Sequence, residues 1–192
     1  MSDRNIPAEF PADVTMRTRS GDERVFTIRR CREDDIDEIM NLQEEIYSRI
    51  DNKETYIKTS KEDFLESFEL DHCFCAVCGD RISAVTVLVS GRLSPERNYG
   101  YYLGYGEDRL GKCFSFDLTM VHPDHRGYGL QAFFCDLRSD VSEMNGSKEA
   151  LTTISPRNSH SLRNLMDNGF EVVETRTLYS GVERHILRKS FE

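Results

Sequence analysis

The chain has 192 residues, 38% of them hydrophobic, and its 34 acidic against 25 basic side chains give a formal net charge of −9. This length is enough for one domain with a sizeable core, while the lack of a long apolar run excludes a transmembrane helix and the lack of a Lys/Arg cluster argues against a nucleic-acid partner. No secretion signal is recognisable and the six cysteines are expected to be free thiols, so we expect a cytoplasmic protein with no membrane association.

The first third of the chain is predicted to hold a β-hairpin followed by two helices. Residues 1–12 are polar with two prolines, which is typical of a flexible arm. Two strand-like stretches, 14–19 and 25–30, flank a polar turn and indicate a hairpin. Apolar residues at helical spacing predict a helix over 36–50, and a capping-box pattern opens a second helix at Ser60.

Two strands and a tyrosine-rich insertion are predicted next. Cys73–Cys78 is apolar throughout, as in a strand buried on both faces, and a Gly-Asp turn leads to a valine-rich strand over 82–90. These cysteines and His72 are interpreted as structural and not as a metal site, because zinc ligands are normally gathered by turns. Residues 91–111 are too long for a hairpin loop, which leaves two interpretations open: a short helical or flap insertion near a substrate, or a surface loop whose tyrosines pack on the sheet.

A strand, a glycine-bearing turn and a helix follow. Apolar side chains alternate over Phe114–Val121, which predicts a strand, and recur at three- and four-residue steps over 130–144, which predicts an amphipathic helix. In the turn, Gly127 and Gly129 can adopt positive φ and let a ligand approach the backbone, and Arg126 adds a cation. The N–H groups at a helix start favour anions, so the sequence predicts a phosphate-binding turn.

Neither of the common nucleotide-binding loops is present at this turn. It lacks the Gly-Lys-Ser/Thr ending of a P-loop and the G-x-G-x-x-G pattern of dinucleotide-binding folds. The pattern therefore argues against a nucleotide-phosphate binder, and an ordinary strand-to-helix connection is the alternative to a phosphate site.

The rest of the chain is predicted to form a strand, a helix and a closing hairpin. The strand covers Ala150–Ile154, and the helix covers Ser159–Asn168 with Gly169 at its C-cap. The hairpin pairs 170–179 with 182–188. The predicted order is β-β-α-α-β-β-β-α-β-α-β-β, with no internal repeat.

Two motifs resemble those of the GNAT superfamily of acyl-CoA N-acyltransferases. The family's central pattern is Gln/Arg-x-x-Gly-x-Gly/Ala after a strand ending in Val-x-Pro. It stands here as Arg126-Gly127-Tyr128-Gly129-Leu130-Gln131 after Val121-His122-Pro123, with Gln131 replacing the usual small residue. Downstream, Asn158-Ser159-His160-Ser161-Leu162 through Asn168-Gly169-Phe170 resembles the family's Asn-x-x-Ala/Ser helix with its Gly-Phe ending. The resemblance spans roughly residues 24–190.

This resemblance implies the GNAT fold, an α/β (α+β) architecture in a single domain over residues 13–192. The central sheet is expected to be mixed but mostly antiparallel, with six to seven strands and helices on both faces. A splay is implied after the fourth strand, past Val121, where CoA enters. Residues 47–60, in the family's two-helix region, are implied to line the acceptor site.

The resemblance also implies how acetyl-CoA is held. It assigns the backbone of Thr119, Met120 and Val121 to the pantetheine arm. The pyrophosphate is assigned to the turn and the helix start, namely to Arg126, Gly127, Tyr128, Gly129, Leu130, Gln131 and Ala132. Asn158 matches a cofactor-binding asparagine of the family, and its alternative role is a helix N-cap.

Asp117 is the candidate general base. It stands in an otherwise apolar strand at a position where GNAT proteins often carry Glu or Asp acting through water, and burying an unpaired carboxylate is costly. Pairing with an arginine, or solvation at the edge of a cleft, is equally open. His122 and His125 have intrinsic pKa values near ~6.5 that suit a base, but they are expected to be surface residues of the turn.

A tyrosine that protonates the leaving thiolate in many GNAT proteins is missing here. The family places it seven residues after the asparagine, and that position is Leu165 in this chain. The acid would then come from the tyrosines between Tyr99 and Tyr105, from Tyr179, or from water.

These features favour an N-acetyltransferase that moves the acetyl group of acetyl-CoA to a primary amine by direct attack in a ternary complex. A small-molecule acceptor is ranked above a protein N-terminus or lysine, because the tyrosine-rich insertion suits a small acceptor. A non-catalytic acyl-CoA-binding sensor is the alternative, which Leu165 favours, whereas Asp117 and the complete turn favour the enzyme. No metal is expected, and a homodimer through the edge of the closing hairpin stays open.

Overall fold

A computed structural model describes residues 9–179 and 181–191 of the chain. Most of the predicted flexible arm, residues 1–12, lies outside this range. The elements follow the predicted order, with one extra short helix inside the tyrosine-rich insertion.

The strands and helices are numbered in chain order. The strands are β1 Ala12–Arg17, β2 Glu23–Arg30, β3 His72–Cys78, β4 Arg81–Val89, β5 Cys113–Val121, β6 Glu149–Ile154, β7 Glu171–Leu178 and β8 Val182–Ser190. The helices are α1 Ile36–Ser48, α2 Lys61–Leu70, α3 Glu107–Leu110, α4 Leu130–Met144 and α5 Ser159–Asp167.

All eight strands belong to one sheet, in the order β1-β2-β3-β4-β5-β6-β8-β7. The pairs β1–β2, β2–β3, β6–β8 and β7–β8 are antiparallel, whereas β5–β6 is parallel. The predicted mixed, mostly antiparallel architecture is therefore confirmed. The prediction of six to seven strands is too low, because β1 pairs with β2 from Ala12↔Ile28 to Arg17↔Glu23 and so joins the sheet.

The parallel pairing of β5 with β6 is short. Its register ends at Ser115↔Leu151, and the Thr152 hydroxyl then donates to the Phe116 carbonyl at 2.7 Å. The two strands therefore part after Ser115, earlier along β5 than the predicted position past Val121.

The chain groups into two compact units, which are described one at a time. The first holds the residues up to Asp51 together with Lys58–Val87 and Leu118–Asp136. Its core comes from alternate residues of β2, from β3 and the continuously buried part of β4 up to Val87, and from the apolar face of α1. The largest fully buried side chains of this unit are Phe26, Ile28, Ile39, Phe64, Phe74, Met120, Leu130 and Phe134.

The second unit holds Asn52–Ile57, Leu88–Asp117 and the residues from Leu137 onward. One cluster of its core gathers residues from the insertion, from β5 and β6 and from the closing hairpin: Tyr99, Cys113, Leu151, Leu178 and Ile186. The single domain expected over residues 13–192 stays a prediction.

All six cysteines are free thiols, and both Cys73 and Cys75 are buried, as predicted. Within the described ranges, no three or more His, Cys, Asp or Glu side chains form a group that could hold a metal ion. None of the helices described is both long enough and apolar enough to cross a membrane.

An ion pair fixes the start of α1. Asp35 is 9% exposed. Its two carboxylate oxygens accept from Arg29 at 2.7 Å each, and Oδ2 also accepts from the Arg32 N–H at 2.7 Å. Burial raises the pKa of the Asp35 carboxyl, but the hydrogen bonds from Arg29 and Arg32 and their positive charges outweigh burial and lower the pKa overall.

We expect Asp35→Asn to lower the free energy of unfolding by about 2 kcal/mol near neutral pH, because the change leaves the charged Arg29 side chain, which is 19% exposed, without its carboxylate partner. The native pKa of Asp35 is below its unfolded value of about 3.9, so the pair's contribution is complete above that value and is lost as pH falls through the native pKa. Denaturant unfolding of wild type and variant from about pH 7 to about pH 2 should show the difference shrinking in acid.

The matched control is Asp37→Asn, because Asp37 pairs with Lys61 at 2.8 Å but its side chain is 84% exposed. We expect this variant to change stability by less than about 1 kcal/mol. A stability difference for Asp35→Asn that stays constant into acid would contradict the assignment.

Candidate functional site

The predicted phosphate turn joins β5 to α4 in the first unit. Gly127 and Gly129 have φ of 88° and 84°, a conformation that residues with a Cβ rarely adopt. At Gly129, no heavy atom of the described residues lies within 4 Å of the position that a Cβ would take. The backbone there is therefore open to an approaching ligand.

The start of α4 adds backbone donors to this turn. The Phe133 N–H donates to the Gly129 carbonyl at 2.9 Å. The N–H groups of the three residues before it, Leu130–Ala132, have no acceptor within the helix. Because α4 is 15 residues long, these groups also carry the partial positive charge of the helix N-terminus. Together with the exposed Arg126 cation, they suit a phosphate group.

His122 holds the turn from the side of α1. Its Nδ1 accepts the Asp124 N–H at 3.2 Å, so Nε2 carries the proton of the neutral ring and donates to Glu45 at 3.2 Å. The His122 N–H donates to the Ser83 carbonyl at 2.8 Å. His122 is 4% exposed, so the prediction of a surface residue is wrong for it. His125 is half-buried, and burial and the neighbouring His122 lower its pKa.

Tyr128 anchors the turn to β2. Its side chain is 7% exposed, its hydroxyl accepts from Arg24 Nε at 3.0 Å, and its ring packs edge-on against Phe26 at 5.6 Å. The Tyr128 side chain is thus structural, and its predicted contact with a ligand rests on its backbone alone.

The end of β5 also keeps its side chains in contact with the protein. Thr86 donates to the Leu118 carbonyl at 2.9 Å, and its oxygen lies 3.0 Å from the Thr119 hydroxyl. Since a hydroxyl has one hydrogen, Thr119 is the donor of that second bond. Met120 is 1% exposed. Of the three predicted pantetheine contacts, Met120 therefore has only backbone groups to offer, and the hydroxyl hydrogen of Thr119 is already donated to Thr86.

In the second unit, Asp117 belongs to a group of hydrogen-bonded hydroxyls. The Tyr99 hydroxyl donates to Asp117 Oδ1 at 2.6 Å, and the hydroxyls of Tyr179 and Thr153 lie 2.9 Å apart. Tyr179 packs against the core cluster that contains Tyr99. We call these four residues, Tyr99, Asp117, Thr153 and Tyr179, the tyrosine cluster. The sequence left an arginine partner open for Asp117, and the partner that the described residues provide is a tyrosine.

Burial determines the protonation of the two tyrosines. Tyr99 is 5% exposed, and burial, reinforced by the charge of Asp117, raises its pKa well above the ordinary value. Burial also raises the pKa of Tyr179. Both hydroxyls therefore keep their protons at neutral pH and can donate. Tyr179 has φ of 47°, a strained conformation of the kind that accumulates at functional sites.

The tyrosine-rich insertion contains two short helical turns, as one interpretation predicted, and several of its tyrosines pack on the sheet, as the other predicted. A 3₁₀ turn at Tyr99–Leu103 precedes α3. Asn98, which is 0% exposed, accepts the Gly100 N–H at 2.9 Å and donates to the Arg92 and Leu110 carbonyls at 2.9 and 3.0 Å. This buried amide fixes the turn that presents Tyr99. The role of Asn98 was not predicted from the sequence, although a lone Asn in a Gly/Tyr-rich stretch is a recognisable turn signal.

Comparison with known proteins rests on structure alone. No protein-family model and no curated protein sequence matches the chain. An acetyltransferase of the GNAT family from Streptococcus pneumoniae superimposes with a TM-score of 0.66 at 12% identity, over 87% of this chain and 99% of that one. The GNAT domain of S. lividans PAT gives 0.65 at 16% identity, over 97% and 100%. The chain has the GNAT fold. A third structure, yncA from Salmonella typhimurium, a proposed acetyltransferase solved with its cofactor acetyl-CoA, gives 0.64 at 14% identity, over 87% and 94%.

Within the GNAT fold, the downstream motif forms α5 as predicted. Asn158 is its N-cap, since its side-chain oxygen accepts the Ser161 N–H at 3.2 Å. This confirms the alternative role of Asn158, and its contact with a cofactor stays a prediction. Leu165 is 7% exposed and belongs to the core, so this position contributes no polar group.

Arg184 of β8 is a further candidate that the sequence analysis missed. It is 4% exposed, and its guanidinium donates to the Glu54 and Thr55 carbonyls at 3.2 and 3.3 Å. Its carbon Cζ lies 5.7 Å from the Tyr179 ring. Burial lowers the pKa of Arg184. This cation fixes part of the stretch 47–60, which the GNAT resemblance assigns to the acceptor site.

Proposed function

We propose that the protein transfers the acetyl group of acetyl-CoA to a primary amine. The observation that supports this most is that one strand, β5, carries the half-buried Asp117 carboxylate and ends at an open glycine turn that precedes a helix. When bound, acetyl-CoA supplies a thioester that is activated towards an amine. The chain must then hold this substrate, polarise its carbonyl and remove a proton from the amine.

The holding groups would be those of the turn and of the strand end. The backbone at Gly127 and Gly129, the N–H groups of Leu130–Ala132 and the Arg126 cation would bind the pyrophosphate. Backbone groups of Thr119–Val121 would pair with the pantetheine arm, and the N–H of Met120 or Val121 would polarise the carbonyl. Met120 contributes only backbone groups to this assignment, because its side chain is buried.

Asp117 would act as the general base. A primary amine has a pKa of about 10, so it is protonated at neutral pH and must lose a proton before it can attack. Tyr99 occupies Oδ1 of Asp117, which orients the carboxylate and leaves Oδ2 to accept that proton directly or through water. A base positioned in this way contributes typically about 10²- to 10⁴-fold in rate.

A small-molecule amine is the acceptor class that we propose. The tyrosine-rich insertion places Tyr99 and, stacked on it with 6.2 Å between the rings, Tyr102 in the same unit as Asp117. The half-buried Tyr102 ring and the half-buried Asp117 carboxylate would offer an apolar surface and a negative charge that suit a small organic cation.

A non-catalytic acyl-CoA sensor is the second candidate, and the buried Leu165 favours it. A sensor needs the turn and has no use for Asp117. The two candidates are therefore separated by turnover and not by binding.

Thermal unfolding with and without acetyl-CoA, followed by assay of thiol release against a panel of amines, tests the proposal. At 100-fold excess over its dissociation constant the ligand should stabilise the protein by about 2.7 kcal/mol, which raises Tm by roughly 5–10 °C. ATP is the control ligand for a nucleotide-phosphate site. A Tm shift without turnover on any amine would replace the enzyme by the sensor, and the absence of a shift would exclude both.

A further inference from the structure

We propose that His122 and Glu45 together set the affinity for acetyl-CoA without touching it, by fixing the turn that would bind the pyrophosphate. His122 is a positioning residue in this arrangement, and Glu45 is the group that holds its ring in the required tautomer. The inference rests on the proposed binding of acetyl-CoA and deepens it by adding two residues outside the predicted binding set.

The side chain of His122 caps a 3₁₀ turn that runs from Pro123 to His125 and leads into the glycine-bearing turn. Its Nδ1 accepts the Asp124 N–H at 3.2 Å, and its backbone carbonyl accepts the His125 N–H at 2.9 Å. The Arg126 N–H then donates to the Pro123 carbonyl at 3.3 Å. These three hydrogen bonds fix the direction in which the backbone enters the glycine-bearing turn.

Only one form of the neutral imidazole ring can make this cap. A ring nitrogen that accepts a hydrogen bond carries no proton, so the proton of the neutral His122 ring must be on Nε2. Nε2 lies 3.2 Å from Oε2 of Glu45 on α1, and an ionised carboxylate can only accept. Glu45 therefore selects the tautomer whose Nδ1 can accept the Asp124 N–H.

The pair of Glu45 and His122 is held by further contacts. Arg49, just after α1, donates to Oε1 of Glu45 at 2.7 Å, and Arg81 of β4 lies 3.9 Å from Oε2. Arg81 also lies 3.4 Å from Nε2 of His122, but a nitrogen that carries a proton cannot accept from it. His122 is 4% exposed, and its N–H donates to the Ser83 carbonyl at 2.8 Å. The ring therefore has little freedom to turn away from the cap.

A turn that is ordered before the ligand arrives should bind it more tightly. Ordering a flexible segment costs conformational entropy, and this cost weakens binding when the ligand has to order the segment itself. The His122 cap orders the turn during folding instead. Loss of the cap should therefore lower the affinity for acetyl-CoA and leave the rate of the bound complex unchanged, because His122 touches no reacting atom.

The variants His122→Leu and His122→Asn test the cap. Asparagine can offer its side-chain oxygen to the Asp124 N–H, whereas leucine has no acceptor. We expect His122→Leu to weaken acetyl-CoA binding about 10-fold in isothermal titration, and His122→Asn to stay within about threefold of wild type. In steady-state kinetics the KM for acetyl-CoA should rise in His122→Leu while kcat stays at the wild-type value.

A matched pair of α1 variants, Glu45→Leu and Glu38→Leu, tests the tautomer. Glu38 also accepts one hydrogen bond, from the Ile82 N–H of β4 at 2.7 Å, so both variants lose one bond and should lower Tm. Only Glu45→Leu should weaken acetyl-CoA binding. Nitrogen NMR of the ring should show the proton of His122 on Nε2 in wild type and in Glu38→Leu, and on both nitrogens in exchange in Glu45→Leu.

Hydrogen exchange in the ligand-free protein separates this inference from the proposed function. The His125 and Arg126 N–H groups should exchange faster in His122→Leu than in wild type or His122→Asn. Unchanged exchange in His122→Leu, or equal losses of affinity in the leucine and asparagine variants, would overturn the positioning role. Wild-type protein that binds no acetyl-CoA would instead refute the proposed function on which the role rests.

Discussion

Asp117→Asn is expected to lower kcat for acetyl transfer by about 10²- to 10⁴-fold while the affinity for acetyl-CoA stays unchanged. The asparagine oxygen can still accept the hydrogen bond that Tyr99 donates at 2.6 Å, so the cluster keeps its geometry. What the variant lacks is a group that can take up a proton. Steady-state kinetics with an amine acceptor, together with the acetyl-CoA-dependent rise in Tm, measures both quantities.

The pH dependence separates loss of a base from damage to the fold. Without Asp117 the amine must lose its proton to solvent, so the rate of the variant should rise about tenfold per pH unit up to the pKa of the amine, near 10. The wild-type rate should depend on pH less steeply over the same range. Asp167→Asn, at the exposed end of α5, is the control and should leave both rate and slope unchanged. Parallel rate profiles for wild type and Asp117→Asn would exclude Asp117 as the base.

The turn could be predicted from the sequence because its signals are local. Gly127 and Gly129 are needed for a backbone with φ near 88° and 84°. Apolar side chains recur at every second residue before these glycines and at every third or fourth residue after them. The residue types alone therefore fix a strand, a turn and a helix start. The donors offered to a ligand are backbone groups, which every sequence carries, so the prediction depended little on side-chain packing.

The partners of the site residues could not be predicted in the same way. Glu45 reaches His122 across 77 residues, and Tyr99 reaches Asp117 across 18 residues through an insertion without clear periodicity. Both contacts depend on how a helix or an insertion packs against a distant part of the chain, which a local pattern does not encode. A buried histidine that caps a 3₁₀ turn and an exposed histidine on a loop look the same in sequence.

The early parting of β5 and β6 has the same origin. Register ends at Ser115↔Leu151, and beyond it the Thr152 hydroxyl donates to the Phe116 carbonyl. The Val-x-Pro signal at Val121 marks where the strand ends and not where its neighbour departs. Asp117 is consequently placed on the part of β5 beyond this ladder.

Gly129→Glu is expected to weaken acetyl-CoA binding by at least about 100-fold, which corresponds to about 2.7 kcal/mol. The φ of 84° strains any residue with a Cβ, but no described heavy atom lies within 4 Å of that Cβ, so the side chain meets no obstacle. The new carboxylate would stand beside the free N–H groups at the start of α4, where it would compete with phosphate and repel it. Isothermal titration with acetyl-CoA measures the loss.

Two further variants separate charge from backbone strain. Gly146 has φ of 75° with equally open space around its Cβ position, at the end of α4. Gly146→Glu should therefore lose about 1–2 kcal/mol of stability, as Gly129→Glu should, because each change places a residue with a Cβ at positive φ. Gly146→Glu should bind acetyl-CoA like wild type. Gly129→Ala carries the strain without the charge and should bind more tightly than Gly129→Glu. Equal affinity of Gly129→Glu and wild type, with both folded, would show that phosphate does not bind at this turn.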